Sequence, residues 1–129
     1  MMHNDKSVTS KGLYLEKEIL NLIVSRNRIL EEIIRLSHLA ISEFHNLEQD
    51  DVNHFFLTRK YFIEALIHCE NRIIANSMMD WTTFSFDPEY KAEYIHLSNE
   101  KSDKVVTIIG QDKVLESLME KEPTIEKTA

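Results

Sequence analysis

The sequence predicts an all-α fold: an antiparallel bundle of three long helices with a short fourth helical segment at the C-terminus. Three observations predict it. Apolar residues recur in steps of three and four over most of the 129 residues, the period of a helix that buries one stripe. Only two Gly and two Pro occur, too few for the turns of a sandwich, barrel or doubly wound sheet. The periodic stretches break only around 46–51 and 77–87, which divides the chain into long helices.

The first helix is read over Leu13 to Leu47. One apolar row runs Leu15, Ile19, Leu22, Ile29, Ile33, Leu36 and Ala40, and a second runs Leu20, Ile23, Leu30, Ile34, Ile41 and Phe44. At 1.5 Å per residue this helix is roughly 50 Å long, and so wide an apolar face needs partners along its length. Residues 1–10 (MMHNDKSVTS) show no pattern and are expected to be a frayed lead-in, with Ser10 as a candidate cap. Asp50 and Asp51 supply an N-cap and first-turn negative charge for the second helix, Val52 to Asn76. The short connection turns it back antiparallel. Its apolar rows are Val52, Phe55, Phe56, Phe62, Ile63, Leu66, Ile67, Ile73 and Ile74, with Arg59 and Glu70 in register with them. Arg26 interrupts the first helix in the same way. Two accounts are open for these arginines. They lie at the seam's edge and cover apolar neighbours with their stems, or they form a buried ion pair across helices, for instance with Glu70, that fixes register.

Residues 77–87 gather Met78, Met79, Trp81, Phe84 and Phe86 in one break. These side chains either cap the open end of the core or form an apolar contact surface of the adaptable kind that Met and aromatic residues favour. Asp87-Pro88-Glu89 is a strong helix start. The third helix carries Tyr90, Tyr94, Leu97, Val105 and Ile108 on one face, broadened by Ile95 and Ile109 and interrupted by Lys101. Gly110 sits inside the pattern and marks a hinge or a helix end. Beyond it Val114, Leu115, Leu118 and Met119 make the short fourth stripe, and Pro123 closes the helical region.

Charge and composition narrow the function classes. The net charge is −7, from 22 acidic and 15 basic residues, without the Lys/Arg surplus that phosphate neutralisation requires. Nucleic acid and anionic membrane surfaces are therefore disfavoured partners. Cys69 is the single cysteine, so no intramolecular disulfide forms. Met1 to Lys11 lacks the apolar core of a signal peptide, and no run approaches the ~18 apolar residues of a membrane span. A cytoplasmic protein without membrane insertion is expected.

Chemistry-bearing patterns are sparse. Glu93 and His96 form one Glu-x-x-His pair, whereas di-iron bundles use two, plus a Glu from each remaining helix. Glu64 and His68 stand one turn apart, and His38, His68 and His96 flank the apolar rows as surface histidines do. His68 adjoins Cys69 in sequence, but successive residues on a helix do not face one another, so the thiol lacks an activating base. No phosphate loop, nucleophile elbow or zinc spacing is present. No catalytic residue, metal site or cofactor is expected. What remains is apolar surface, because three broad stripes ask for a fourth helix. That helix is the segment after Gly110, another copy of the chain, or a partner's helix laid in the groove. If Gln111 to Glu122 folds back over the groove, the tail residues Leu115, Leu118 and Met119 compete with a partner.

The pattern resembles the small flagellar type III export chaperones of the FliT and FlgN kind. The resemblance lies in a long first helix of the type Leu15-Glu16-Lys17-Glu18-Ile19-Leu20 and an acidic turn at Glu48-Gln49-Asp50-Asp51. It continues into Val52-Asn53-His54-Phe55-Phe56-Leu57-Thr58-Arg59-Lys60, and spans about residues 13–120. It implies a cytoplasmic escort that holds the C-terminal helical region of a filament-cap or hook-associated subunit and contacts the export machinery. Within the resemblance, Arg59 and the apolar positions Phe55, Phe62 and Leu66 face the client helix. The loop residues Met78, Met79, Trp81 and Phe84 are read as further partner contacts. The competing expectation is a self-assembling helical adaptor whose apolar seam is consumed by a homodimer.

Overall fold

The structure, a computed structural model, describes residues 2–77 and 88–121, with side chains over 15–76 and 88–121. The described residues form three long helices, α1 (Met2–Ser42), α2 (Gln49–Ser77) and α3 (Pro88–Lys121), with a 3₁₀ turn at Phe44–Asn46. No strand occurs among them. The expected lead-in is instead helical from Met2. A helix already nucleated extends at small cost per residue, and neither the polar run from His3 to Lys11 nor Gly12 contains a residue that stops it.

The turn between α1 and α2 is built from local bonds. Glu43 N–H donates to Leu39 O, and Asn46 N–H to Glu43 O, which tightens the last turn. Leu47 then takes an extended conformation that releases the chain. Phe44 is buried at the corner. Asp51 belongs to the first turn of α2, as the acidic pattern predicts, but it caps from inside the helix. Its Oδ2 accepts from Glu48 N–H at 3.0 Å, the reciprocal half of a capping box in which Glu48 stands ahead of the helix. Asp87, expected to cap α3, lies outside the described residues, as does the tail from 122 onward.

α1 is the shared spine. Along its length it packs against both α2 and α3, which lie far less close to one another. In the half nearer the α2–α3 connection, Ile19, Leu22 and Ile23 pack with Cys69, Ile73 and Leu97. In the other half, Ala40, Phe55 and Leu115 form a second cluster, flanked by Leu36, Ile41, Leu47 and Phe56. The space left among Phe44, Val52, Phe55, Leu115 and Met119 is about 10 Å³, the lower limit for a single water.

The expected separate fourth segment is instead the last three turns of α3, which continues from Pro88 to Lys121 without a break at Gly110. Glycine costs a helix about 1 kcal/mol relative to alanine, and the burial of Leu115 and Met119 beyond it outweighs that. A Cβ built on Gly110 meets nothing within 4 Å. Gly110→Ala is therefore expected to stabilise the protein by roughly 0.5–1 kcal/mol, measured as a higher urea midpoint. A fall in stability instead would show that the helix flexes here.

Candidate functional site

Beneath the seam between α2 and α3 runs a line of polar side chains. Arg26 projects from the middle of the buried stripe of α1, its side chain only 6% exposed, with Nε 3.4 Å from Glu70 Oε1 on α2. Lys101 of α3 reaches the same oxygen at 3.5 Å, so one carboxylate ties three helices together. Arg26 Nε also donates to Asn27 Oδ1, and Asn27 Nδ2 donates to Leu97 O at 2.9 Å. Further along, Arg59 donates through Nη2 to both oxygens of Asp112, at 2.7 and 2.9 Å. Gln111 Nε2 donates to Ile34 O. Of the two accounts of the arginines, the ion pair between helices holds for both: Glu70 partners Arg26, and Arg59 finds Asp112, a partner the spacing on α2 alone does not reveal.

This seam is incompletely bonded. Arg26 Nη2, Ser37 Oγ, Arg59 Nε, Glu70 Oε1 and Gln111 Oε1 are buried without a well-formed hydrogen bond. Glu70 Oε1 lies within ion-pair range of two cations but is aligned with neither. A buried polar atom left without a partner costs on the order of 1–3 kcal/mol, which offsets part of the cohesion these ion pairs supply.

The predicted contact residues divide by position. Phe55 and Arg59 belong to one inner row of α2, Val52, Phe55, Arg59, Phe62, Leu66, Cys69 and Ile73, with alternating three- and four-residue steps. Phe55 is 7% exposed against Ala40 and Leu115, Arg59 is held by Asp112, and Phe62 and Leu66 are half-buried. Leu115 and Met119 are buried and Leu118 half-buried, while Gly110 lies exposed within α3. Met78, Met79, Trp81 and Phe84 lie outside the described residues.

The exposed apolar residues lie elsewhere. Ile63 follows Arg59 by one turn, and Ile67 and Ile74 flank Glu70, so these three occupy the edge of α2 that borders α3. Val105 follows Lys101 by one turn and Ile109 precedes Asp112, on the edge of α3 that borders α2, with Tyr94 two turns before Lys101. Ile67 is 54% exposed and Ile109 50%. Further round stand Leu57 on α2 and Ile95 and Val106 on α3, the last 68% exposed, while Tyr61 shares the column of Arg72, which reaches Glu18 of α1. Among the described side chains of α1 the large exposed apolar residue is Leu39. The face opposite α1 is thus a broad apolar strip with two ion pairs beneath it. The signal was present in the sequence: α2 has two apolar rows, and an outer helix of a three-helix bundle needs only one.

Charge on this strip is balanced, with Lys60, Lys91 and Lys113 exposed beside Glu64, Glu116 and Glu120. The acidic excess among the described side chains therefore lies on other faces. Among the described residues no three His, Cys, Asp or Glu side chains converge as a metal site would require. His96, of the Glu-x-x-His pair, is exposed and faces Glu100 at 3.5 Å. The Cys69 thiol donates to Leu22 O at 3.1 Å, and burial, with Glu70 adding to it, pushes its pKa up. That is the environment of an inert thiol. Tyr90 is pushed to about 12 by burial, then by Tyr94 and Glu16. An open depression of about 320 Å³ between α1 and α3, lined by Glu31, Ile34, Glu100, Asp103, Lys104 and Thr107, encloses no ligand-sized space.

Among the described residues no helix is long and apolar enough to cross a membrane. Comparison with models of known protein families, with curated proteins and with solved structures gave no match.

Proposed function

We propose that this chain is a non-catalytic binding protein that holds an amphipathic helix on the face of α2 and α3 opposite α1. The observation that carries this reading is the asymmetry of exposed apolar residues among the described side chains: Leu57, Ile63, Ile67 and Ile74 on α2 and Tyr94, Ile95, Val106 and Ile109 on α3 border or line this face, against Tyr61, Val114 and, on α1, Leu39 off it. A strip of this kind on a charged protein marks a contact surface, and a fourth helix laid along it completes a four-helix arrangement. The client's apolar residues sit between the edges of α2 and α3. The pairs Arg26–Glu70 and Arg59–Asp112, of which the Arg26 side chain is buried and the other three partly exposed, lie between those edges and α1. Phe55, Phe62 and Leu66 support the strip from the inner row.

The resemblance to flagellar type III export chaperones gives the client its chemistry: the C-terminal helical region of a filament-cap or hook-associated subunit, held in the cytoplasm so that it does not polymerise early. The test is a titration of fluorescently labelled peptides carrying such C-terminal helices, followed by anisotropy, against wild type and Ile67→Glu. Wild type is expected to bind in the micromolar range. The substitution places an exposed charge in the strip without disturbing the core, and is expected to weaken binding by at least about tenfold. Equal binding by both proteins, or by neither, overturns the assignment.

A further inference from the structure

The strip specifies more than an apolar ligand. Along the outer face of α3, Lys91 stands at one end and Glu116 and Glu120 at the other, all exposed. Val105 and Val106 lie midway between Lys91 and Glu120. A helix laid on this face is best matched when it brings acidic groups to Lys91 and basic groups to Glu116 and Glu120. The α3 of a second molecule, laid antiparallel, does this.

We propose that, without a client, two copies of this chain cover each other's α2–α3 face about a two-fold axis that crosses the helices at Val105–Val106. The proposal rests on reading that face as a helix-binding surface, and self-association becomes the competitor that a client must displace. In this arrangement Lys91 of each copy meets Glu116 and Glu120 of the other. The pairs Arg59–Asp112 and Glu70–Lys101 fix α2 beside α3 in one antiparallel register. The same axis therefore sets Leu57 of one copy against Ile74 of the other, both about half exposed. The alternative two-fold axis, parallel to the helices, lays α2 over α3 and brings Lys60 against Lys113 of the second copy, a like-charge contact. Charge thus selects the antiparallel form.

The size of the face suits a stable dimer. It runs roughly 45 Å along thirty residues of helix and about 18 Å across two helices. That gives roughly 800 Å² per copy, the contribution each partner makes to a standard interface. The net charge of −7 opposes association only weakly, because the strip is charge-balanced and the acidic faces stay in screening solvent.

Sedimentation velocity of the full-length chain over a concentration series tests this, with circular dichroism confirming that each variant folds. Wild type is expected to dimerise, and Ile67→Glu to raise the dissociation constant at least about a hundredfold, since symmetry places each substitution in the interface twice. Lys91→Glu and Glu120→Lys are each expected to weaken the dimer about tenfold. Combined in one chain they recreate the pair with its signs exchanged, and restore the constant to within about threefold. A chain that stays monomeric at ~100 µM, or a double variant no tighter than either single one, overturns the proposal. Peptide binding is read on protein diluted to monomer, so the client assignment and the dimer fail separately.

Discussion

Truncation after Gly110 is expected to cost the protein about 5 kcal/mol and to lower its melting temperature by roughly 15–20 °C. The removed turns bear Leu115 and Met119, 5% and 7% exposed, and each buried side chain of this size stabilises by about 1.5–3 kcal/mol. Their loss also uncovers Ala40, Phe44 and Phe55, which form one cluster with them, and frees Arg59 from Asp112. Against a total stability of about 5–15 kcal/mol, that is enough to melt the half of the bundle near the α1–α2 turn. Thermal unfolding followed by circular dichroism measures it, with Leu115→Ala alone expected to cost about 2–4 kcal/mol. A tail that merely masks a groove gives the opposite result. The truncated chain would then melt within a few degrees of wild type and bind the probe helix more tightly.

Glu70→Ala is expected to destabilise by about 2–3 kcal/mol, most of it through Arg26. The guanidinium is almost wholly buried, and without Glu70 its polar contact among the described side chains is Asn27 Oδ1. Glu70 itself is 29% exposed, so water partly replaces it and the cost falls at the low end for a broken buried pair. Replacing both members with apolar residues, as in Arg26→Met combined with Glu70→Leu, is expected to be neutral or stabilising, because both desolvation costs vanish together. Urea unfolding of the singles and the double gives the coupling energy. If Glu70→Ala lies within ~0.5 kcal/mol of wild type, solvent already reaches Arg26 and the pair does not set the register.

The helices were legible because their signal is local. A period of three and four, a scarcity of Gly and Pro and the Asp87-Pro88-Glu89 start act within a few residues. What one helix does to another was legible only as alternatives. Arg26, in register with an apolar row, could lie at the seam's edge or pair across helices, with Glu70 as one candidate acid, and the pair is what forms. Arg59 has the same problem, but its partner Asp112 lies in another helix whose register against α2 no local pattern determines. Gly110 misled for a related reason. Propensity treats it as a break, while Leu115 and Met119, packed against distant Ala40 and Phe55, hold the helix through it. The strip of Ile63, Ile67 and Ile74 appeared in the sequence as extra core, since apolar residues look alike until the number of neighbouring helices is known.

The role of α1 as the only close neighbour of both other helices sets an order of release. α1 and α2 meet across a short turn, whereas α3 docks on α1 through residues about seventy apart in sequence, as Asn27 and Leu97 are. Undocking α3 leaves an α1–α2 hairpin with Leu22–Cys69 and Ala40–Phe55 still in place, while undocking α2 opens the chain at its centre. The amides of α3 are thus the ones to exchange with solvent through a partial opening, and those of Ile19 to Ser37 only when the whole domain unfolds.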